Sequence, residues 1–184
     1  LRALIDGYTR EAGVRSLERT LASLCRKAAR KLVSEDAKSV KIDSGDLEPM
    51  LGPAPFADDA LSLQNQVGVC NGLAWTSVGG EMLQVEVALM EGTGKLELTG
   101  SLGDVMKESA HIAISCVRSH ASEFGIDGEF YKKQDIHIHV PEGAVPKDGP
   151  SAGVTLTTAL VSALTNNPIR GDVAMTGEVT LRGR

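Results

Sequence analysis

From Val14 onward, apolar residues recur at Leu17, Leu21, Leu24, Ala28 and Leu32, with arginines and lysines between them. That period of about 3.6 residues predicts a helix with one apolar stripe. A short β-like run, VKID at 40–43, comes next. It is followed by SGDLEPML, in which Ser44 or Asp46 can cap a last short helix. Residues 1–51 therefore read as a small helical module, too small to bury its apolar faces without a neighbour. GPAPFADDALSLQ, 52–64, is rich in Pro and Ala with an acidic pair and reads as a linker.

Beyond it the pattern changes. VGVCNGLAWTSVGGEMLQVEVALMEGTGKLELTG alternates between apolar and polar positions and is punctuated by Gly79-Gly80 and Gly92-Thr93-Gly94. This predicts a meander of antiparallel strands. Ser101 can cap a long helix, LGDVMKESAHIAISCVRSHASEF, that ends at Gly125. DIHIHV (135–140) reads as a strand, SAGVTLTTALVSALT as a second helix of small residues, and DVAMTGEVTLRG as a final strand pair. Strands first, with helices packed on one face, make 65–184 an α+β sheet domain. No internal repeat or low-complexity tract interrupts it.

Composition adds constraints. Aromatic residues are only 3% of the chain, so Leu, Val, Ile, Ala and Met must build the core, with the single Trp75 as an expected anchor. No apolar run approaches the roughly 20 residues of a membrane span, and no secretory leader pattern opens the sequence. Cys25, Cys70 and Cys116 show no metal-binding or redox spacing and read as reduced, semi-buried residues of a cytoplasmic protein; no metal site is expected. Charge is uneven: residues 1–43 hold ten Lys/Arg against six Asp/Glu, and the remainder nine against eighteen. A basic module precedes an acidic one, which leaves room for contact with nucleotide phosphates or DNA beside the simpler reading of a solvated helix face. LRALIDGY starts inside a periodic pattern and VTLRGR stops on a strand-like run, so the sequence reads as part of a larger protein.

The chemistry concentrates in PEGAVPKDGPSAGVT, 141–155. A serine after a proline at a helix start is ordinarily an N-cap. Here, however, Gly149-Pro150-Ser151-Ala152-Gly153 leaves the backbone around the hydroxyl unobstructed. The free amides of the helix start would face the same space and could stabilise an oxyanion. A serine nucleophile needs a base. His137 and His139 share one face of a strand and read as structural histidines. Lys147 and Asp148 lie on the loop, where they orient it or line a mouth. No Ser-His-Asp order stands out.

PKDGPSAG, with HVPEGA before it and DVAMTGEVTLRG after it, closely resembles the proteolytic domain of the Lon family of ATP-dependent proteases. YTREAGVRSLER resembles the second, small subdomain of the AAA+ ATPase that precedes that domain. The resemblance implies a helical AAA+ lid followed by a Lon-type α+β protease domain, ribosomal S5 domain 2-like, and a Ser–Lys dyad with Ser151 as nucleophile. The family's lysine lies in a Gly-Gly-x-Lys-x-Lys segment that follows the RG turn, and the sequence ends at Arg184 before it. Lys147 does not match that place. Thr176 matches a threonine that orients the lysine. Asp148 and Glu178 match acidic positions near the site and read as modulators.

Arg15 matches an arginine that senses nucleotide. ATP and Mg would belong to the parent protein, with their main binding loops outside this sequence, and no cofactor is expected for the protease part. Unfolded or damaged proteins are the implied substrates and a homohexamer the implied assembly. Two rivals share some of these features: a catalytically silent Lon-like scaffold or nucleic-acid-binding module, and a small-molecule kinase of the galactokinase or homoserine kinase type with a phosphate-binding Gly/Ser loop.

Overall fold

A computed structural model describes residues 1–36, 38–56, 64–76, 79–141 and 146–184. The chain divides into two compact units: Leu1–Leu61 with Ser77–Gly79, and Ser62–Thr76 with Gly80–Arg184.

In the first unit a short helix α1 (Arg2–Leu4) runs into a widened turn at Ile5–Thr9, and α2 spans Arg15–Ser34. The apolar stripe predicted for α2 packs inward: Leu24 is buried with Leu4, Leu47 and Met50, and Leu17 and Leu21 lie against them. The expected VKID strand does not form; 40–43 pair with no strand among the described residues, and an unpaired segment has no ladder to stabilise it. Asp43, the last of those residues, instead makes a reciprocal capping box with Asp46. The cap assigned to Ser44 or Asp46 is therefore made by Asp43, and α3 (Leu47–Leu51) follows. The Gly52 carbonyl accepts from the Tyr8 hydroxyl (2.8 Å) and the Phe56 amide donates to the Gly7 carbonyl (3.1 Å). The start of the expected linker thus folds back on this unit, while 57–63 lie outside the described residues.

The second unit is a five-stranded mixed sheet in the order β3-β4-β2-β1-β5, formed by β1 (Val69–Thr76), β2 (Gly79–Glu91), β3 (Leu96–Thr99), β4 (Gln134–His139) and β5 (Ala174–Met175). The expected meander is corrected in one respect. β3 does not pair with β2; β4 lies between them, antiparallel to β2 and parallel to β3. The turn that splays β3 away is held by the Asp135 carboxylate, whose Oδ1 accepts from the amides of Thr93 (2.9 Å), Gly94 (3.0 Å) and Lys95 (2.7 Å). A Cβ on Gly94 would stand 2.0 Å from the Tyr131 carbonyl oxygen, so only glycine fits there.

Val87, Ile136 and Ile138 face the core together with Leu96 and Leu98. The alternate residues Glu86, Glu97, Thr99, His137 and His139 occupy the opposite face. The core is closed by α4 (Asp104–Ser119) and α6 (Gly153–Thr165), with the short α5 (Phe130–Lys133) leading into β4 between them in the chain. Their meeting faces are built of small residues, Ala110 and Ala113 on α4 and Ala159 on α6, all fully buried. Such faces let helix axes approach closely.

Other expectations give way to observed geometry. Helix α4 ends at Ser119, not at Gly125. The Ser119 hydroxyl and the His120 ring both reach the Cys116 carbonyl (2.9 Å each) and compete with continued helix. Ser101 is not its cap, because its backbone is left-handed (φ +57°) and the helix starts after Gly103. Downstream of α6 only two residues form a strand, β5, parallel to β1; the predicted pair is absent because 178–184 curl back, with Thr180 donating to the Arg184 carbonyl. Trp75 is not a core anchor: it is 86% exposed, since β1 and β2 run past the core at that end. Cys70 and Cys116 are buried and Cys25 exposed, all free thiols; burial pushes the Cys70 thiol up to about 11.

Candidate active site at the Ser151 turn

Ser151 lies in a single 3-10 turn, Pro150–Ala152, that flows directly into α6. Gly149 sets the entry with φ +128°, a conformation that side chains disfavour, and Pro150 supplies the fixed φ suited to a first helical position. The serine is exposed while Ala152 and Gly153 beside it are buried. No side chain caps this helix start. Among the described residues the Ser151 hydroxyl makes no hydrogen bond, so the N-cap reading does not hold.

The backbone around the hydroxyl is held by the segment that continues β5. The Ser151 carbonyl accepts from the Gly177 amide (2.7 Å) and from Thr176 Oγ1 (3.4 Å). The Val154 amide donates to the Gly177 carbonyl (2.9 Å), and the fully buried Thr155 hydroxyl donates to the Met175 carbonyl (3.3 Å). A Cβ on Gly153 would come within 2.6 Å of the Val179 amide nitrogen. The turn and 175–179 are thus fitted backbone to backbone.

The local candidates for a base are placed elsewhere. His137 and His139 project from the sheet face opposite the core that α6 helps to close, where both ring systems contact the Thr99 hydroxyl. Lys147 is half-buried, bridged to Leu102 through its backbone, and its ammonium donates to the Gly100 carbonyl (3.4 Å). Asp148 Oδ1 accepts from the Met106 amide (3.0 Å), third residue of α4, and from the Gly149 amide (2.9 Å). It caps α4 from 42 residues away and braces the peptide that leads into Ser151. Glu178 is exposed on the rim of an open depression of about 570 Å³ lined also by Ile112, Val179, Leu181 and Arg182.

Residues 41–184 match the Lon protease (S16) C-terminal proteolytic domain, and residues 1–40 match the Lon protease AAA+ ATPase lid domain. The chain belongs to the Lon protease family. It is 59% identical to the Lon protease of Finegoldia magna over 98% of its length, 57% identical to that of Clostridioides difficile over all of it, and 58% identical to Lon protease 1 of Bacillus subtilis over 98%. It spans about a quarter of the length of these relatives, 23–24%.

Within the Lon lid match, Arg15 is the first residue of α2 and is exposed. The helix start it occupies is already capped by Glu11, whose Oε1 accepts from the Leu17 amide (2.9 Å). The Ser16 amide and then the Leu17 amide hold the Glu11 carboxyl below its usual range. The Ser16 and Leu17 amides of this helix start are therefore already taken, while the Arg15 residue is exposed. Among the described residues no three His, Cys, Asp or Glu side chains are grouped to hold a metal ion, and no helix is long and apolar enough to cross a membrane.

Reasoning from the sequence missed three features here. Asp148 as a remote cap and the clamp of 175–177 on Ser151 depend on pairings with no local signal. The Glu11 cap could have been found from a carboxylate placed shortly before the periodic run.

Proposed function

We propose that this chain is the lid and part of the proteolytic portion of an ATP-dependent serine endopeptidase that degrades misfolded and regulatory proteins, with Ser151 as nucleophile. One observation carries the reading: within PKDGPSAG, the serine hydroxyl is exposed and, among the described residues, free of hydrogen bonds, on a turn whose backbone is clamped on both sides. A hydroxyl committed to capping could not attack a carbonyl without losing its structural bond; this one is uncommitted.

The base follows from the family resemblance, which places a lysine beyond the RG turn at 182–183. An ordinary lysine, with a pKa near 10.4, is protonated at neutral pH; apolar burial can lower that value enough for the amine to take the serine proton. Thr176, already beside Ser151, is suited to orient such a lysine, and Asp148 and Glu178 to modulate the site. The ribosomal S5 domain 2-like class, the ring-shaped homohexamer and the cytoplasmic setting rest on the same resemblance. ATP hydrolysis in the parent protein would supply the work of unfolding, with Arg15 reaching the phosphates through its exposed guanidinium.

The test uses the full-length protein with ATP and an unfolded protein substrate. Ser151→Ala is expected to abolish peptide cleavage and leave ATP hydrolysis in place. Cleavage that survives the substitution would return the turn to a structural role. The 184 residues produced alone are expected to show no peptidase activity.

A further inference from the structure

The outer face of the sheet carries a cluster that the protease reading does not use. His137 and His139 alternate along β4 and so project from the same face. The parallel register with β3 sets Glu97 opposite His137 and Thr99 opposite His139. Thr99 Oγ1 stands 2.9 Å from His137 Nε2 and 2.7 Å from His139 Nδ1, so two imidazole nitrogens from one sheet face converge on one point. Glu97 Oε2 lies 3.8 Å from His137 Nδ1, the ring nitrogen turned away from that point. At that distance it makes no hydrogen bond, but it faces the nitrogen from which a carboxylate orients a metal-binding histidine and raises its basicity. Both rings are half-buried.

We propose that His137 and His139, together with the Thr99 hydroxyl, form a chelating site for a divalent transition-metal ion of the zinc class. Two neutral imidazoles suit Zn, Ni or Cu and discriminate against Mg and Ca, which take oxygen ligands. Zinc–imidazole bonds of about 2.0–2.1 Å require the two rings to close slightly on the place the hydroxyl now fills, and the Thr99 side chain to turn so that its oxygen ligates from beside the ion. Since no third His, Cys, Asp or Glu side chain joins the two histidines among the described residues, water completes the shell and the site is open and exchangeable. Glu97, also paired with Lys95, is the outer partner, and Glu86 of β2 is the cross-strand neighbour of His139. β3 is an edge strand, so a bound ion would clip it to β4.

The experiment is a Zn²⁺ titration of the protein without an affinity tag, followed by calorimetry and by the ring signals of its four histidines. One ion per chain is expected, shifting His137 and His139 and leaving His111 and His120 in place, with no response to Mg²⁺. His137→Gln and His139→Gln together should abolish this binding, and Glu97→Gln should weaken it about tenfold. The wild-type histidine signals decide the matter even if the double variant folds poorly. Zn²⁺ that moves other histidines, or that binds the folded double variant as well as the wild type, overturns the proposal.

Discussion

Helices α4 and α6 begin under opposite arrangements. At α4 the chain has no local cap, and the structure brings Asp148 from a distant loop to take the Met106 amide. At α6 a serine, among the most favoured capping residues, stands in the first turn and caps nothing. The two starts are joined through Asp148, whose same oxygen also accepts from the Gly149 amide two residues before Ser151. A side chain suited to capping stays free because backbone atoms of 175–177 and a remote carboxylate hold the turn instead. The long helices α2 and α4 start under carboxylates, whereas α6 starts with no side-chain cap, and that is where chemistry is proposed.

The largest effect that would break this contrast is at Ser151 itself. Ser151→Ala in the full-length protein should lower peptide cleavage by at least about a thousandfold. Thermal stability should stay within about 0.5 kcal/mol of wild type, as for other exposed, unbonded positions. A clear loss of stability measured by calorimetry would mean that the hydroxyl is a cap after all.

Gly153→Ala attacks the clamp. The added Cβ would meet the Val179 backbone nitrogen at 2.6 Å, and backbone cannot swing aside as a flexible side chain would. Overpacking of this kind costs about 1–3 kcal/mol, and the displacement should fall on 177–179, which hold Ser151. Denaturant unfolding together with amide exchange at Gly177 checks both parts. An unperturbed Gly177 amide would show that the turn keeps its shape without the fit.

How much of this was visible beforehand follows from how local each cause is. The stripe of α2, the strand at 134–139 and the small-residue helix α6 are written in periodicity that neighbouring residues enforce. The serine turn is equally local, since Gly149, Pro150 and Gly153 each act within a residue or two of Ser151. The insertion of β4 between β2 and β3 was not legible, because a parallel pairing leaves no hairpin signal. Asp148 looked like a loop charge for the same reason: its partner amide is 42 residues away. Trp75 misled by composition, since a lone tryptophan suggests a core anchor until the strand bearing it outruns the core.

Asp148→Ala sharpens the comparison from the α4 side. Loss of a cap costs about 1 kcal/mol, and Asp148→Asn, which keeps an accepting oxygen, should lose less. Gly103→Ala should do similar damage, since its Cβ would fall 2.3 Å from the Asp148 carboxyl carbon. Equal stability of Asp148→Ala and wild type in urea would remove the remote cap from the account.

The smallest effect belongs to α2, capped locally by Glu11. The Ser16 and Leu17 amides hold its carboxyl below the ordinary glutamate value, so the folded state favours the ionised form. The sign follows by linkage: the carboxylate's contribution is fully present above its unfolded pKa and is lost as pH falls through the lower folded value. Glu11→Gln should therefore be less stable than wild type at neutral pH. The difference should be constant down to about pH 5 and shrink as acid titrates the wild-type carboxylate. Because Glu11 is at the surface, salt should weaken the charge contribution while leaving the hydrogen bond's share. Thermal unfolding of both proteins across that range measures it. A gap that widens on acidification would mean that the neutral carboxyl, and not the carboxylate, is what α2 prefers at its start.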